Sequence, residues 1–225
     1  MSSAEPRVGA VQRLARRIRE RGVTATLRKA WSDHVFRRST SVIVEYHPDQ
    51  RPLGPNDQTG TGLSFAELRA GDAVPPLCAW MAYRAADFAA MLTQGKIGVF
   101  ALRNGVAIGC AWIALDDHHD PLSREHYAVG PKEAYHYCWM VDPAQRRTNV
   151  GISLCREVLR LLASMGIERQ FGVVDVVNRA SYLIQYRFGY RECGRKVLHY
   201  HLLGMRWTRY GRYQGTLGPA PRGRA

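Results

Sequence analysis

Acidic residues are scarce in this chain: 19 Asp and Glu stand against 32 Lys and Arg over 225 residues, a formal net charge of +13. The shortage is local. Residues 1–40 carry ten Lys/Arg and three acids, and residues 206–225 carry five Arg and no acid, so the stretch between them is nearly neutral. A near-neutral body with two basic ends points those ends at an anionic surface. Closely spaced cysteine pairs are also missing. Cys78, Cys110, Cys138, Cys155 and Cys193 are odd in number, scattered, and nowhere form Cys-x-x-Cys. That excludes a disulfide framework and a zinc knuckle, and makes a reducing, cytoplasmic compartment the expectation. No apolar run approaches the ~20 residues that cross a bilayer. Arg13, Arg16, Arg17, Arg19 and Arg21 interrupt the segment where a signal peptide needs its apolar core. The 46% apolar and 23% charged residues are ordinary globular values, which excludes wholesale disorder and collagen-like or coiled-coil arrays.

From Val8 to Val35 the positions Val11, Leu14, Ile18, Val23, Leu27, Trp31 and Val35 recur at helical spacing with Arg between them, which predicts an amphipathic helix broken near Gly22. Two roles are open to it: lying on anionic lipid at the inner face of a membrane, or packing on the domain. Ser41 to His47 predicts a short strand, and a linker follows from Pro48 to Gly62. The expected organisation is therefore a basic helical extension over 1–40, a strand and linker over 41–62, a compact domain over 63–205 and a basic, disordered tail over 206–225.

Within the compact domain, Leu63–Leu68 and Ile97–Leu102 predict strands and Val74–Gln94 one or two helices. Asn104-Gly105 is a hairpin turn leading into a strand over Val106–Leu115. Asp116, Asp117, His118, His119 and Asp120 are consecutive and lack a partner at helical or strand spacing, so a solvated loop with no metal is expected there. Tyr135–Val141 predicts a strand that Asp142-Pro143 ends. The loop Gln145-Arg146-Arg147-Thr148-Asn149-Val150-Gly151 then leads into a helix on which Val150, Leu154, Val158, Leu161, Leu162 and Met165 share one face, with a stop near Gly166. Such a junction gathers unpaired backbone N–H groups at the positive end of a helix dipole. It cradles a phosphate or pyrophosphate, and the adjacent Arg side chains add charge. Phe171–Val177 predicts a further strand, and Asn178 starts a second helix through Tyr186 to Gly189.

On these residues the chain resembles the Gcn5-related N-acetyltransferase (GNAT) superfamily. Its acyl-CoA loop, (Gln/Arg)-x-x-Gly-x-(Gly/Ala), is similar to Arg146-x-x-Asn149-x-Gly151; Met140-Val141-Asp142-Pro143 resembles the strand end before that loop. Asn178, Tyr186 and Gly189-Tyr190 match the later Asn, Tyr and Gly-aromatic signature, and coverage runs from Leu63 to Leu203. Asn149 stands where the family usually has Gly; Asn is the non-Gly residue that best tolerates a left-handed backbone. The resemblance implies an α/β (α+β) fold with a mixed, mostly antiparallel central sheet flanked by helices, carrying the N-terminal basic helical extension. It implies acetyl-CoA, or another acyl-CoA, as cosubstrate and direct attack of a primary amine on the thioester. Met140 and Val141 would bind the pantetheine arm. Arg146, Arg147, Thr148, Asn149, Val150, Gly151 and Ile152 would hold the pyrophosphate, with Asn178 beside them, and Tyr186 would protonate the leaving thiolate. Tyr135 and Tyr137, two apart on one strand face, are the candidates near the attacking amine, with His136 turned to the opposite face. A water relay, Glu45 or Asp175 remain open as the base. The acceptor is expected to be a small-molecule or sugar- or lipid-linked amine, with no specific nucleic acid. A catalytically degenerate CoA-binding or basic surface-binding module is the alternative.

Overall fold

The computed structural model describes residues 35–49, 62–119 and 125–214, together with Val23, Thr24 and Trp31. The rest of the predicted N-terminal helix, most of the linker and residues 215–225 lie outside the described residues. Among the described residues ten strands run in chain order: β1 (Phe36–Tyr46), β2 (Ser64–Leu68), β3 (Ile97–Arg103), β4 (Val106–Ala114), β5 (His118–His119), β6 (His126–Tyr127), β7 (Glu133–Val141), β8 (Arg169–Asp175), β9 (Arg191–Leu202) and β10 (Met205–Arg212). The helices are α1 (Ala85–Thr93), α2 (Val150–Ser164) and α3 (Arg179–Arg187). Eight strands form one sheet in the order β10-β9-β1-β8-β7-β4-β3-β2, and β5 pairs with β6 in a separate hairpin. Only β7 and β8 pair in parallel; the other neighbours in the sheet are antiparallel. Among the described residues no helix is long and apolar enough to cross a membrane.

Helices cover both faces of this mixed sheet. On one face Val150, Leu154, Val158 and Leu162 of α2 pack on Ile97, Val99 and Ile113, while Cys155 and Leu159 reach Val42 and Val44 of β1. On the other face Phe88 and Leu92 of α1 close over Phe100 and Trp112. Phe88, Phe100 and Trp112 form an aromatic triangle with ring centroids 5.4–5.8 Å apart. Period-two alternation along β3, with Val99 and Ala101 to α2 and Phe100 to α1, is what lets one strand serve both layers.

Four boundaries differ from the sequence-based expectation. β1 begins at Phe36 and lies between β8 and β9, so the strand assigned to the 41–62 segment is an interior strand of the sheet. β10 occupies Met205–Arg212, so the first part of the 206–225 tail is ordered against β9. Its three arginines and mostly exposed residues suit a sheet edge. Residues 74–81 are not helical: Pro75 and Pro76 bias the preceding backbone to extended geometry, Leu77 bridges to Ala107, and α1 starts only at Ala85. The acidic-histidine loop carries β5, whose His118 and His119 pair with Tyr127 and His126.

Candidate active site

The parallel ladder between β7 and β8 is short. It covers Glu133–His136 against Arg169–Gly172 and then stops, although β7 continues to Val141 and β8 to Asp175. Beyond that point the two strands diverge, which leaves the β8-facing edge of β7 without a strand partner. A bulge marks the opening: Cys138 takes a left-handed φ of 50°, and the register with β4 shifts between Cys110 and Trp112. Bulges bend a strand and re-aim its groups. Here the bend opens a cavity of about 680 Å³ between the strand ends, lined by Tyr135, Tyr137, Trp139, Val173, Asn178 and Gln185 among others.

At its far end β7 runs into the predicted phosphate loop. Asp142 starts a short 3-10 turn by accepting from the Ala144 N–H at 2.9 Å. Arg103 donates to Gln145 Oε1 at 2.6 Å, and the Thr148 hydroxyl donates to the Gln145 carbonyl at 2.8 Å, so the loop is fixed on both sides. Asn149 is the N-cap of α2 and adopts φ 60° and ψ 4°, the left-handed turn that Asn tolerates. The first N–H groups of α2, on Val150, Gly151 and Ile152, have no acceptor within the helix and sit at its positive end. A Cβ on Gly151 would meet only ordinary contacts, 3.6 Å to Ile184 and 3.8 Å to Val141, in keeping with a position where Gly and Ala are interchangeable. Arg146 lies 5.9 Å from the Trp80 ring centroid, and Arg147 is exposed beside it. Backbone donors, a helix N-terminus and two guanidinium groups make a cradle of pyrophosphate chemistry.

The structure separates the sequence-predicted side chains. Tyr135 and Tyr137 stack at 5.5 Å with nearly parallel rings and both line the cavity. His136 also borders the cavity but is almost wholly buried, packed against Trp139 and Tyr190. Its Nδ1 accepts from Trp139 Nε1 at 2.7 Å, so the neutral ring carries its hydrogen on Nε2, which is buried with no partner. Burial pushes its pKa down to about 3, and a ring with no free lone pair is no base. Asn178 caps α3 by accepting from the Ser181 N–H at 3.3 Å. From that helix Ser181 and Gln185, four residues apart, face the cavity, and the Gln185 Oε1 is buried there with no hydrogen-bond partner. Tyr186, one position on and turned by about 100°, lies outside the cavity lining. It stacks on Tyr182 at 5.9 Å beneath the Arg191 guanidinium, 4.1 Å from its ring centroid.

Glu45 and Asp175 part company as well. Glu45 pairs with Arg169 at 2.5 Å, and Arg169 reaches Glu133 at 2.7 Å, away from the opening. Burial would raise the Glu45 carboxyl, but the hydrogen bond and charge of Arg169 outweigh it and hold it below the usual range. Asp175 lines the cavity. A further cluster that the sequence did not suggest stands beside it: Ser41 of β1, His199 of β9 and Glu125 before β6. His199 Nε2 lies 2.9 Å from Ser41 Oγ, His199 Nδ1 lies 2.5 Å from Glu125, and Tyr127 donates to the same carboxylate. These residues are 84 and 74 positions apart in sequence, and only the strand order brings them together.

The acetyltransferase (GNAT) family pattern matches residues 65–190, more than half of the chain. This chain therefore belongs to the GNAT acetyltransferase family. Ser41 and His199 lie outside the matched span. Among solved structures, a Drosophila protein superimposes with a TM-score of 0.52 at 15% identity, covering 80% of this chain and 57% of its own. A GCN5-related N-acetyltransferase from Sphaerobacter thermophilus gives 0.48 at 16% identity, covering 81% and 57%. The ribosomal-protein-S18-alanine N-acetyltransferase of Escherichia coli gives 0.45 at 16% identity, covering 64% and 95%. At such identities the likeness concerns the fold, and this chain spans little more than half the length of the first two. No curated protein sequence matches the chain significantly.

Proposed function

We propose that this protein transfers an acyl group, acetyl in the first instance, from coenzyme A to a primary amine by direct attack on the thioester. The observation that carries the reading is the unpaired edge of β7 leading into the N-terminus of α2. An extended pantetheine arm carries amide groups, and the backbone of Met140 and Val141 offers it the hydrogen bonds that β8 does not take. The pyrophosphate then falls on the unpaired N–H groups of Val150, Gly151 and Ile152, with Thr148 and Asn149 beside it and the Arg146 and Arg147 side chains adding charge. Gln185 supplies a buried acceptor from the opposite wall, next to Asn178. With the thioester between the diverging strands, Tyr135 and Tyr137 stand on the side from which an amine approaches. Asn149, the one departure from the family loop, keeps the turn by adopting its left-handed conformation.

Acetyl-CoA titrated by calorimetry tests this. Charge-assisted bonds to phosphate are worth roughly 1.5 to 3 kcal/mol, so Arg146→Ala and Arg147→Ala are expected to weaken binding about tenfold or more each. Wild-type affinity in both variants overturns the placement of the cosubstrate.

A further inference from the structure

Strand order brings Arg37 of β1 and Arg206 of β10 to the same place. β9 lies between β1 and β10, and His201 is opposite Arg37 on one side and Arg206 on the other. Residues opposite one another share a face, so the three form a row across the sheet with a guanidinium group at each end. Two residues along β9, roughly 7 Å away at ~3.3 Å per residue, is His199 with Ser41 and Glu125. Row and cluster line a single groove of about 350 Å³, which also holds Asp175. Ser41, Glu125, Asp175 and His199 line the thioester cavity too, so the groove opens into it.

The distances set out what His199 can do. With the Glu125 carboxylate accepting at Nδ1, the ring hydrogen sits there and Nε2 is left to accept from the Ser41 hydroxyl. Tyr127, whose phenol burial pushes well above the ordinary range, donates to the Glu125 carboxylate and holds it in place. Ser41 Oγ is thereby a hydroxyl with a proton acceptor behind it and a cavity in front.

Resting on the acyl-transfer reading, we infer that this groove is the acceptor site, that it takes a primary amine bearing a phosphate or carboxylate, and that Ser41, His199 and Glu125 relay the amine's proton away. The anion sits on the Arg37–His201–Arg206 row, and the ammonium points at Ser41. One ammonium proton passes to Ser41 Oγ as the hydroxyl proton passes to His199 Nε2, and Glu125 stabilises the imidazolium. The freed amine forms its N–C bond with the thioester carbonyl, the C–S bond breaks, and the electron pair leaves on the CoA sulfur. The second proton lost by nitrogen goes to that sulfur, and the imidazolium returns the first to solvent. Ser41 and His199 act on the substrate's proton; Glu125 is a positioning residue.

Matched probes test this with acetyl-CoA saturating and thiol release as readout: glucosamine 6-phosphate against glucosamine, and 6-aminohexanoate against hexylamine. The phosphate pair and the carboxylate pair distinguish the two anions. The anionic member of at least one pair is expected to show a kcat/KM about tenfold or more above its neutral partner. Arg37→Ala and Arg206→Ala, both at exposed positions, are expected to raise KM for that probe about tenfold while kcat holds. His199→Gln and Ser41→Ala are expected to lower kcat by roughly 10² with KM kept, and Glu125→Gln to lower kcat in the same sense. Turnover that favours the neutral partners, or none of either anionic probe with acetyl-CoA bound, overturns the inference. So does an acetyl group found on Ser41 by intact-protein mass spectrometry, which would make the serine a nucleophile. Failure of acetyl-CoA to bind the wild-type protein, read separately by calorimetry, removes the acyl-transfer reading and this one with it.

Discussion

Asn149 occupies a backbone well that most side chains avoid, and the turn that aims the first N–H groups of α2 depends on it. A residue with an ordinary Cβ pays roughly 1 kcal/mol or more there, Asn less and Gly least. Asn149→Ala is thus expected to lower stability by about 1 kcal/mol in chemical denaturation, while Asn149→Gly holds stability and binds acetyl-CoA at least as tightly. Weaker binding by the Gly variant would mean that the Asn side chain itself touches the cosubstrate. This residue was legible in the sequence because its departure from the loop pattern named the conformation it had to adopt. For Tyr186 the sequence placed the residue on α3 but not the direction of its side chain, since a helix turns about 100° per residue and motif spacing does not tell one face from the next. Gln185 is the residue turned to the cavity. Ser41, His199 and Glu125 gave no sequence signal beyond the alternation of His199 with His201 along a strand, because their chemistry comes from three distant segments.

Elements were easier to foresee than their neighbours. Hydrophobic alternation and the Asn104-Gly105 turn predicted β3 and β4, and the apolar stripe predicted α2, since those signals are local. The bulge in β7 is not local: it answers to β4 on one side and to an absent partner on the other. At the base of the opening, β7 and β8 are locked by a close fit. A Cβ on Gly172 would lie 2.2 Å from His136 Cε1, so Gly172→Ala is expected to cost about 3 kcal/mol, part of which His136→Ala in the same chain restores. The same histidine adds a pH dependence. Its folded pKa of about 3 lies below the unfolded value near 6.5, so the unfolded chain binds the extra proton between those limits. Stability from this group is full above about pH 6.5 and falls by up to ~1.4 kcal/mol per pH unit as pH drops toward 3. Denaturant midpoints across that range check it: the slope should flatten in the His136→Ala chain.

At the scale of the whole molecule the sheet gathers Arg37 and Arg38 of β1 and Arg206, Arg209 and Arg212 of β10 around β9. The sequence showed the two basic ends and set them outside the body; pairing across more than 150 residues, as between Ser41 and Val197, is what no local pattern reports. A field of this kind steers anions and is screened by salt. Between about 50 and 500 mM salt, kcat/KM for glucosamine 6-phosphate is expected to fall several-fold while that for glucosamine barely moves. Equal salt response for the two would place the Arg37–His201–Arg206 row outside the acceptor's path. The interior position of β1 has a consequence for how the protein is made. β1 leaves the ribosome among the first described segments, with Val42, Ile43 and Val44 all needing cover, yet its partners are β8 and β9. It waits through synthesis of more than a hundred residues, about 6 to 30 seconds at ~5–20 residues per second. During that interval it is a sticky, unpaired β-segment that invites chaperones or aggregation, and the sheet closes only when the last third of the chain has emerged.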